Sequence, residues 1–321
     1  MTWLLKKLFA LFSSFGLAVV LIMTLFLLTL FGTLEQVDHG LYDVQKKYFE
    51  SLWLVHWIGP VPVPLPGAFL VLSVLTLNLV LGGLVRMRKN WKRPGILIVH
   101  IGMLLMMAAG LVTFKLSKSG AMTLFPDERS NEVLSYYDWQ IEIQKPGDKE
   151  TLVIGQDDFR DLSSDGKRTF YSDTLPFDIV LSDYSRNTIP LPVGPMIKDE
   201  VDAIDGYFLR ALPKANEAER NIPGAKVTLR DKKSGEEQTA LLWGMATEPA
   251  AFNVGDEQWT VDLGKTRWSL PFAIHLDEFI RETHPGTGMD AYFESKITKI
   301  DPTGDEKIRV HMNHPLRHKG T

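Results

Sequence analysis

The sequence predicts a membrane-embedded helical part, residues 1–118, followed by an all-β antiparallel domain of sandwich or barrel type, residues 119–321. Two observations predict this division. Three apolar runs occupy the first 114 residues, and each approaches the ~20 residues that a helix needs to cross ~30 Å of hydrocarbon. Beyond residue 118, short segments alternate apolar and polar residues, which is the pattern of half-buried antiparallel strands.

The composition excludes several classes of function. The chain has 321 residues, a net charge of −4 and no cysteine. Without cysteine there is no disulfide, thiolate metal site, CxxC redox pair or covalently attached c-type haem. The weakly acidic balance gives no sign of nucleic-acid binding.

The predicted spans are residues 8–31, 67–85 and 95–114. Lys6 and Lys7 precede the first span, as basic residues do in a signal peptide. Its apolar run exceeds the ~7–15 residues of a signal-peptide core, and no small-x-small cleavage site follows. We therefore expect a retained anchor.

Basic residues predict the orientation of the spans. They precede the first span and crowd the short loop between the second and third spans, as Arg86, Arg88, Lys89, Lys92 and Arg93. The positive-inside rule places both regions in the cytoplasm, so residues 115–321 are expected outside. Binding of anionic lipid is the alternative role of the basic loop.

The third span contains one ionisable side chain, His100. It lies about five residues, or roughly 8 Å, from the predicted cytoplasmic end. An ionisable group at this depth is costly and points to a site. Two readings stay open: a hydrogen bond between packed helices, or an axial ligand to haem iron. Met103 and Met107 recur near the same helix face and are candidates for lining a haem pocket.

The predicted spans contain no second histidine. A six-coordinate haem therefore needs its other ligand from another chain, a methionine or water. His39 and His56 lie in the loop between the first and second spans. His56 sits in an aromatic patch, so we interpret it as a headgroup-level residue of the interfacial belt.

The second part carries alternating strands and no catalytic motif. The predicted strands are residues 139–143, 177–181, 225–229, 259–263, 272–276 and 308–312. The proline-rich segment 189–195 is predicted to be a loop, and 216–219 a brief helix. His275 and His311 fall on polar strand faces by alternation. A metal site of His311, His314 and His318 is disfavoured because Pro315 interrupts a helix there. From its residues alone the chain resembles a scaffold or binding subunit with at most one embedded ligand.

Several short stretches, in order, resemble the ResB family of cytochrome c biogenesis. They are GTLEQ at 32–36, HIG at 100–102, LPFAIHLDEF at 270–279, HPGTG at 284–288, YFES at 292–295, and NHPLR at 313–317 with KG at 319–320. The resemblance extends over nearly the whole chain, and it rests on the order and spacing of these stretches.

The resemblance implies a membrane subunit of a system II cytochrome c synthetase, without catalytic residues of its own, in the bacterial inner membrane with a periplasmic domain. The implied cofactor is non-covalent haem b, shared with a multi-span ResC or CcsA partner. His100 is the residue that would supply the haem ligand from the ResB-type subunit. Other implied partners are apocytochrome c and a thiol-reducing thioredoxin-like protein. The alternatives are an assembly scaffold without haem, or a transmembrane b-type electron-transfer subunit.

The chain departs from the family pattern at its end. Family members continue beyond the NHPLR region with a further strand and a transmembrane helix, whereas this sequence stops at Thr321. The sequence is therefore expected to be C-terminally short, through a split gene or a truncation.

Overall fold

The computed structural model describes residues 3–87, 94–148, 150–163, 165–194 and 202–318. The chain forms two compact units, described separately below. The first is Met1–Ser117 together with Pro213–Asn221, and the second is Lys118–Leu212 together with Ile222–Thr321.

The first unit begins with two helices rather than one. Helix α1 is Trp3–Phe12 and helix α2 is Phe15–His39. The break falls at Ser13 and Ser14 because the Ser14 hydroxyl accepts a hydrogen bond from the Leu17 amide (3.1 Å) and caps α2. Serine favours this role because its oxygen replaces a missing intrahelical acceptor. The membrane helix therefore lies later in the chain than the predicted 8–31.

A short hairpin separates the first and second spans. Helix α3 is Leu41–Val44 and continues as a π-helical turn, Gln45–Phe49. Strands β1, Trp53–Ile58, and β2, Val61–Pro66, then pair in a register that runs from Trp53↔Pro66 to Ile58↔Val61.

The remaining spans follow the hairpin. Helix α4 is Ala68–Asn78, which continues as a π-helical segment, Leu79–Val85, and helix α5 is Gly95–Leu116. Three helices are thus long and apolar enough to cross a membrane: Phe15–His39, Ala68–Val85 and Gly95–Leu116. Within the described residues, the three predicted segments are confirmed as long apolar helices. None of the most apolar stretch of α5 is buried within the chain.

The Pro213–Asn221 segment belongs to the first unit. The Asn216 side chain donates to the Val37 carbonyl at the end of α2 (2.9 Å). Lys214 forms an ion pair with Asp43. The brief helix predicted at 216–219 is a single 3₁₀ turn, Ala218–Arg220.

The described strands of the second unit all pair antiparallel, which confirms the predicted fold class. One further 3₁₀ turn is Gln156–Asp158. Its strands are β3 Gly120–Ala121, β4 Arg129–Gln144, β5 Thr151–Gly155, β6 Lys167–Phe170, β7 Phe177–Ser185, β8 Thr188–Pro192, β9 Tyr207–Ala211, β10 Gly224–Asp231, β11 Glu237–Trp243, β12 Ala250–Val254, β13 Glu257–Thr283, β14 Asp290–Asp301 and β15 Gly304–His311.

The long strand β13 organises the larger sheet. This seven-stranded sheet has the order β15-β14-β13-β4-β3, with β12 also beside β13 and β5 beside β4. A four-stranded sheet has the order β11-β10-β7-β6. Side chains from both sheets form one apolar core, which includes Ile141, Phe177, Val227, Phe252 and Val261. Burial of such side chains, each worth about 1.5–3 kcal/mol, is the main stabilising contribution.

One sequence prediction about this unit is wrong. Residues 189–192 lie not in a loop but in β8, which pairs only with β9. Proline is tolerated in such a strand because it removes no required donor at a free edge. Residues 195–201 lie outside the described residues.

Candidate functional site

His100 lies in α5, one helical turn after the helix begins at Gly95. Its Nδ1 atom is 2.7 Å from the Ile96 carbonyl oxygen. A carbonyl only accepts, so Nδ1 carries the proton. In the neutral imidazole the lone pair then lies on Nε2, and Nε2 has no hydrogen-bond partner among the described residues. This is the tautomer that a histidine ligand presents to a metal.

The His100 ring packs against a glycine of the second span. Gly83 lies in the π-helical segment Leu79–Val85. A Cβ atom at residue 83 would lie 2.2 Å from His100 Cδ2 and 3.0 Å from Nε2. The absent side chain of Gly83 therefore makes the space that the imidazole occupies. Such π-helical insertions in α-helices occur frequently at functional sites.

Met107 and Met103 differ in their surroundings. The Met107 sulfur accepts a hydrogen bond from the Thr76 hydroxyl of α4 (3.2 Å). Met107 thus contacts the same neighbouring span as His100. Met103 is 39% exposed. The structure shows Met107 in a packing role, and whether either residue lines a haem pocket stays a prediction.

Polar contacts gather at the end of the unit where α2 begins. The Arg86 guanidinium donates to the Ser13 hydroxyl (3.1 Å). The Asn78 amide donates to the carbonyls of Phe12 (2.8 Å) and Ser14 (3.0 Å). Asn78 is 6% exposed, so these bonds satisfy backbone groups left free at the helix break. We call this the basic end, because Lys6 and Lys7 also lie on α1.

The other basic residues of the predicted cytoplasmic loop, Arg88, Lys89, Lys92 and Arg93, lie outside the described residues. Gly83 is three residues before Arg86 in the sequence. His100 therefore lies towards the basic end of the unit.

A second polar cluster lies at the opposite end of α2. Glu35, in the last turns of α2, accepts hydrogen bonds from the Lys47 ammonium (2.6 Å) and the Tyr48 hydroxyl. His56 of β1 places Nδ1 2.5 Å from the Tyr48 hydroxyl oxygen and 3.4 Å from Glu35 Oε2. Burial and the Glu35 carboxylate raise the pKa of Tyr48. We call these four residues the Glu35 cluster.

The Glu35 cluster borders a cavity of about 670 Å³. Apolar and polar side chains share its wall: Phe31, Leu34, Glu35, Asp38, His39, Lys47, His56, Trp57, Ile58 and Gly59. The His56 ring stacks on Phe31 with 4.6 Å between centroids and is 16% exposed. The sequence placed His56 at the headgroup level and missed this cluster. The sequence feature that pointed to this cluster was Glu35 in the GTLEQ stretch, a carboxylate for which the sequence predicted no partner.

The β-unit carries the motifs at the end of the sequence. At residues 270–273, β13 bulges away from β4, where pairing passes from Ser269↔Glu132 to Ile274↔Ser130. Phe272 is buried there and meets the His318 ring edge-on. A cavity of about 560 Å³ adjoins this bulge.

The histidines of the β-unit have local partners. His275 Nδ1 lies 2.9 Å from an Asp277 oxygen. The His311 and His314 rings lie 4.3 Å apart. In the part of the chain that the structure describes, no three His, Asp or Glu side chains have an arrangement that could hold a metal ion.

Glu294 anchors the strongest polar network of this unit. The Arg309 guanidinium donates to both carboxylate oxygens (2.8 and 2.7 Å), and the Tyr292 hydroxyl donates as well (2.5 Å). The Glu294 residue is 2% exposed. The hydrogen bonds from Arg309 and Tyr292 lower the pKa of Glu294 to about 2. This network ties β14 to β15.

Residues 229–321, from the end of β10 through β15, match the family model described as ResB-like family. The matched part contains the bulge of β13 and the Glu294 network. No curated relative matches the chain. The match agrees with an architecture of three apolar helices followed by an antiparallel β-unit. The matched segment is therefore similar to the ResB-like family, which supports a general role in cytochrome c biogenesis.

Proposed function

We propose that the chain is the haem-binding membrane subunit of a system II haem-delivery and attachment complex. In this proposal His100 is an axial ligand of haem b, which the subunit binds or guides across the membrane. The observation that carries the proposal is the His100 imidazole, whose Nδ1 is engaged by the Ile96 carbonyl and whose Nε2 is left free.

The surroundings of His100 suit a haem ligand. The Nδ1 bond fixes the tautomer and the ring orientation, as partners of metal-bound histidines do. Gly83 gives the ring its space. Because the chain has no cysteine, any haem it holds is bound without thioether bonds. Imidazole ligation supplies orientation and control of the iron, and the attachment chemistry is left to a partner.

The second ligand is proposed to come from a ResC or CcsA partner. The surface of α5 supports this, because none of its most apolar stretch is buried within the chain. A Cβ at Gly102 or Gly110 would meet nothing within 4 Å. Small residues let a second helix approach closely in a bilayer. A partner helix on α5 can therefore bring its ligand beside His100.

The proposed orientation places the basic end in the cytoplasm and residues 115–321 outside the inner membrane. Lys6, Lys7 and Arg86 lie at the same end of the first unit, which the positive-inside rule assigns to the cytoplasm. The β-unit would then meet apocytochrome c and a thiol-reducing thioredoxin-like protein on the outer side.

The test is His100→Ala in the complex purified with its partner. We expect a decrease in the haem absorbance that co-purifies with the wild-type complex, together with loss of cytochrome c maturation. His284→Ala is the matched control, because this exposed histidine lies in the β-unit. Met107→Leu is expected to retain haem, since leucine fills similar volume. Unchanged haem and maturation in His100→Ala would contradict the proposal and leave an assembly scaffold.

A further inference from the structure

A second histidine of the first unit has the same arrangement of its ring nitrogens as His100. His56 Nδ1 lies 2.5 Å from the Tyr48 hydroxyl oxygen, and Tyr48 is fully buried. Tyr48 also bonds to Glu35, and Glu35 pairs with Lys47 at 2.6 Å. The polar partners of His56 are thus held in place from two other elements, α2 and the π-helical turn.

The direction of these hydrogen bonds follows from the donors available. The Glu35 carboxylate, paired with the Lys47 ammonium, only accepts. The Tyr48 hydroxyl must therefore give its proton to Glu35. Its oxygen then accepts from His56 Nδ1–H, and in the neutral ring the lone pair lies on His56 Nε2. Carboxylate groups behind a histidine in this way raise its basicity and fix its orientation as a metal ligand.

Nε2 of His56 has no hydrogen-bond partner among the residues that the structure describes. The ring borders the cavity of about 670 Å³, a volume within the range of small-molecule sites. Phe31, Trp57 and Ile58 supply apolar wall for a flat aromatic ring system. Lys47 is a cation on the wall that a haem carboxylate would share with Glu35, and Asp38 disfavours an anion beside itself.

The two histidines lie towards opposite ends of the membrane unit. Arg86 contacts Ser13 just before α2 begins, and His56 contacts Glu35 near the end of α2. Ser14 and Glu35 are 21 positions apart in the sequence, or roughly 30 Å along a helix. This length is that of the hydrocarbon core.

We infer that His56 is a second iron ligand of this chain, which holds haem in the cavity beside the Glu35 cluster, at the end of the membrane unit opposite His100. The inference rests on the proposed haem-handling function. The chain then has a haem position towards each end of the unit, and the one at His56 lies where haem leaves the bilayer.

The test is titration of the full-length chain in detergent with ferric protoporphyrin IX, followed by absorption and electron paramagnetic resonance spectra. We expect His100→Ala to retain a histidine-ligated haem signal. In that background, His56→Asn should remove the signal, because asparagine keeps a donor near the Nδ1 position but has no Nε2. Tyr48→Phe should weaken haem binding at this site by about 10–100-fold, as losses of such orienting partners do. His284→Ala is the control.

The outcomes separate the inference from the proposed function. If His100→Ala alone abolishes all ligated haem, the His56 position is refuted while the function stands. If His56→Asn binds haem like the wild type in the His100→Ala background, His56 is a structural residue and the inference fails. If His56→Asn removes haem but His100→Ala does not change it, the His56 site stands and the role proposed for His100 fails. Equal loss in His284→Ala would show adventitious binding only.

Discussion

Replacing Gly83 with alanine places a methyl group where the His100 ring now lies. A Cβ at this position would be 2.2 Å from His100 Cδ2, whereas carbon atoms in contact stay about 3.5 Å apart. The ring must therefore move by roughly 1.3 Å. A movement of that size is enough to break the 2.7 Å bond between Nδ1 and the Ile96 carbonyl, since such bonds rarely exceed ~3.2 Å.

Gly83→Ala should lower haem affinity without unfolding the protein. The group in the way is a side chain, so the His100 ring turns before the helices separate. An off-rotamer side chain costs about 0.5–1.5 kcal/mol, which leaves the protein folded. Loss of the orienting bond and of the ring position should lower haem affinity by about 10–100-fold.

The assay is haem titration of the purified full-length protein by absorbance, with thermal unfolding measured in parallel. Gly110→Ala is the matched control, because a Cβ there meets nothing within 4 Å. In a His100→Ala background, Gly83→Ala should have no further effect, since the methyl group then has no ring to displace. Wild-type haem affinity in Gly83→Ala, or an equal loss in Gly110→Ala, would refute this reasoning.

Three further predictions concern stability and orientation. The pKa of Glu294 is lowered to about 2, so its stabilising contribution is complete above the ordinary value of 4.5 and is lost as pH falls towards 2. Glu294→Gln should remove this component from the acid unfolding curve. An unchanged curve would contradict the prediction. Asn78→Leu removes one hydrogen-bond donor from the Phe12 carbonyl and one from the Ser14 carbonyl, and it should lower the free energy of unfolding by about 1–2 kcal/mol. Ser73→Ala, whose hydroxyl bonds within its own helix, should change it little. Since the chain has no cysteine, Thr303→Cys should react with a membrane-impermeant maleimide in intact cells and Lys7→Cys only after lysis; the reverse pattern would overturn the proposed orientation.

Local patterns of the sequence were enough to predict the three apolar runs and segments of five of the thirteen described strands of the second unit. Hydropathy alone identified the three apolar runs, and alternation identified segments of β4, β7, β10, β13 and β15, because both signals lie within single elements. His100 stood out for the same reason, since it is the one ionisable residue in an apolar run. These features depend on residues close together in the chain.

Features that depend on distant residues could not be predicted. Nothing in the sequence near Gly83 shows that His100 packs there, because the two lie on different helices. The Glu35 cluster likewise joins α2, a π-helical turn and β1. Segments 259–263 and 272–276 were predicted as two strands but belong to the single strand β13. Strand β8 was missed because its prolines are typical of loops, and only its place at a sheet edge makes them acceptable.

The prolines of the β1–β2 hairpin have a consequence for the position of His56. Gly67 donates to the Leu52 carbonyl (2.7 Å), so the alternate pairs that follow, including His56↔Val63, are the hydrogen-bonded ones. The prolines at 62, 64 and 66 occupy the other pairs, where the amide would point away from β1. The free edge of β2 thus offers no amide donor at these positions, and a further strand cannot extend the hairpin there.

A shift of the two strands by one residue would bring these prolines into the hydrogen-bonded pairs. Each would then remove a ladder bond worth about 1 kcal/mol. In such a shift, the side chains of β2 would turn to the opposite face of the hairpin, while β1 keeps its orientation. The alternating prolines therefore oppose this shift and keep Val63 as the cross-strand partner of His56.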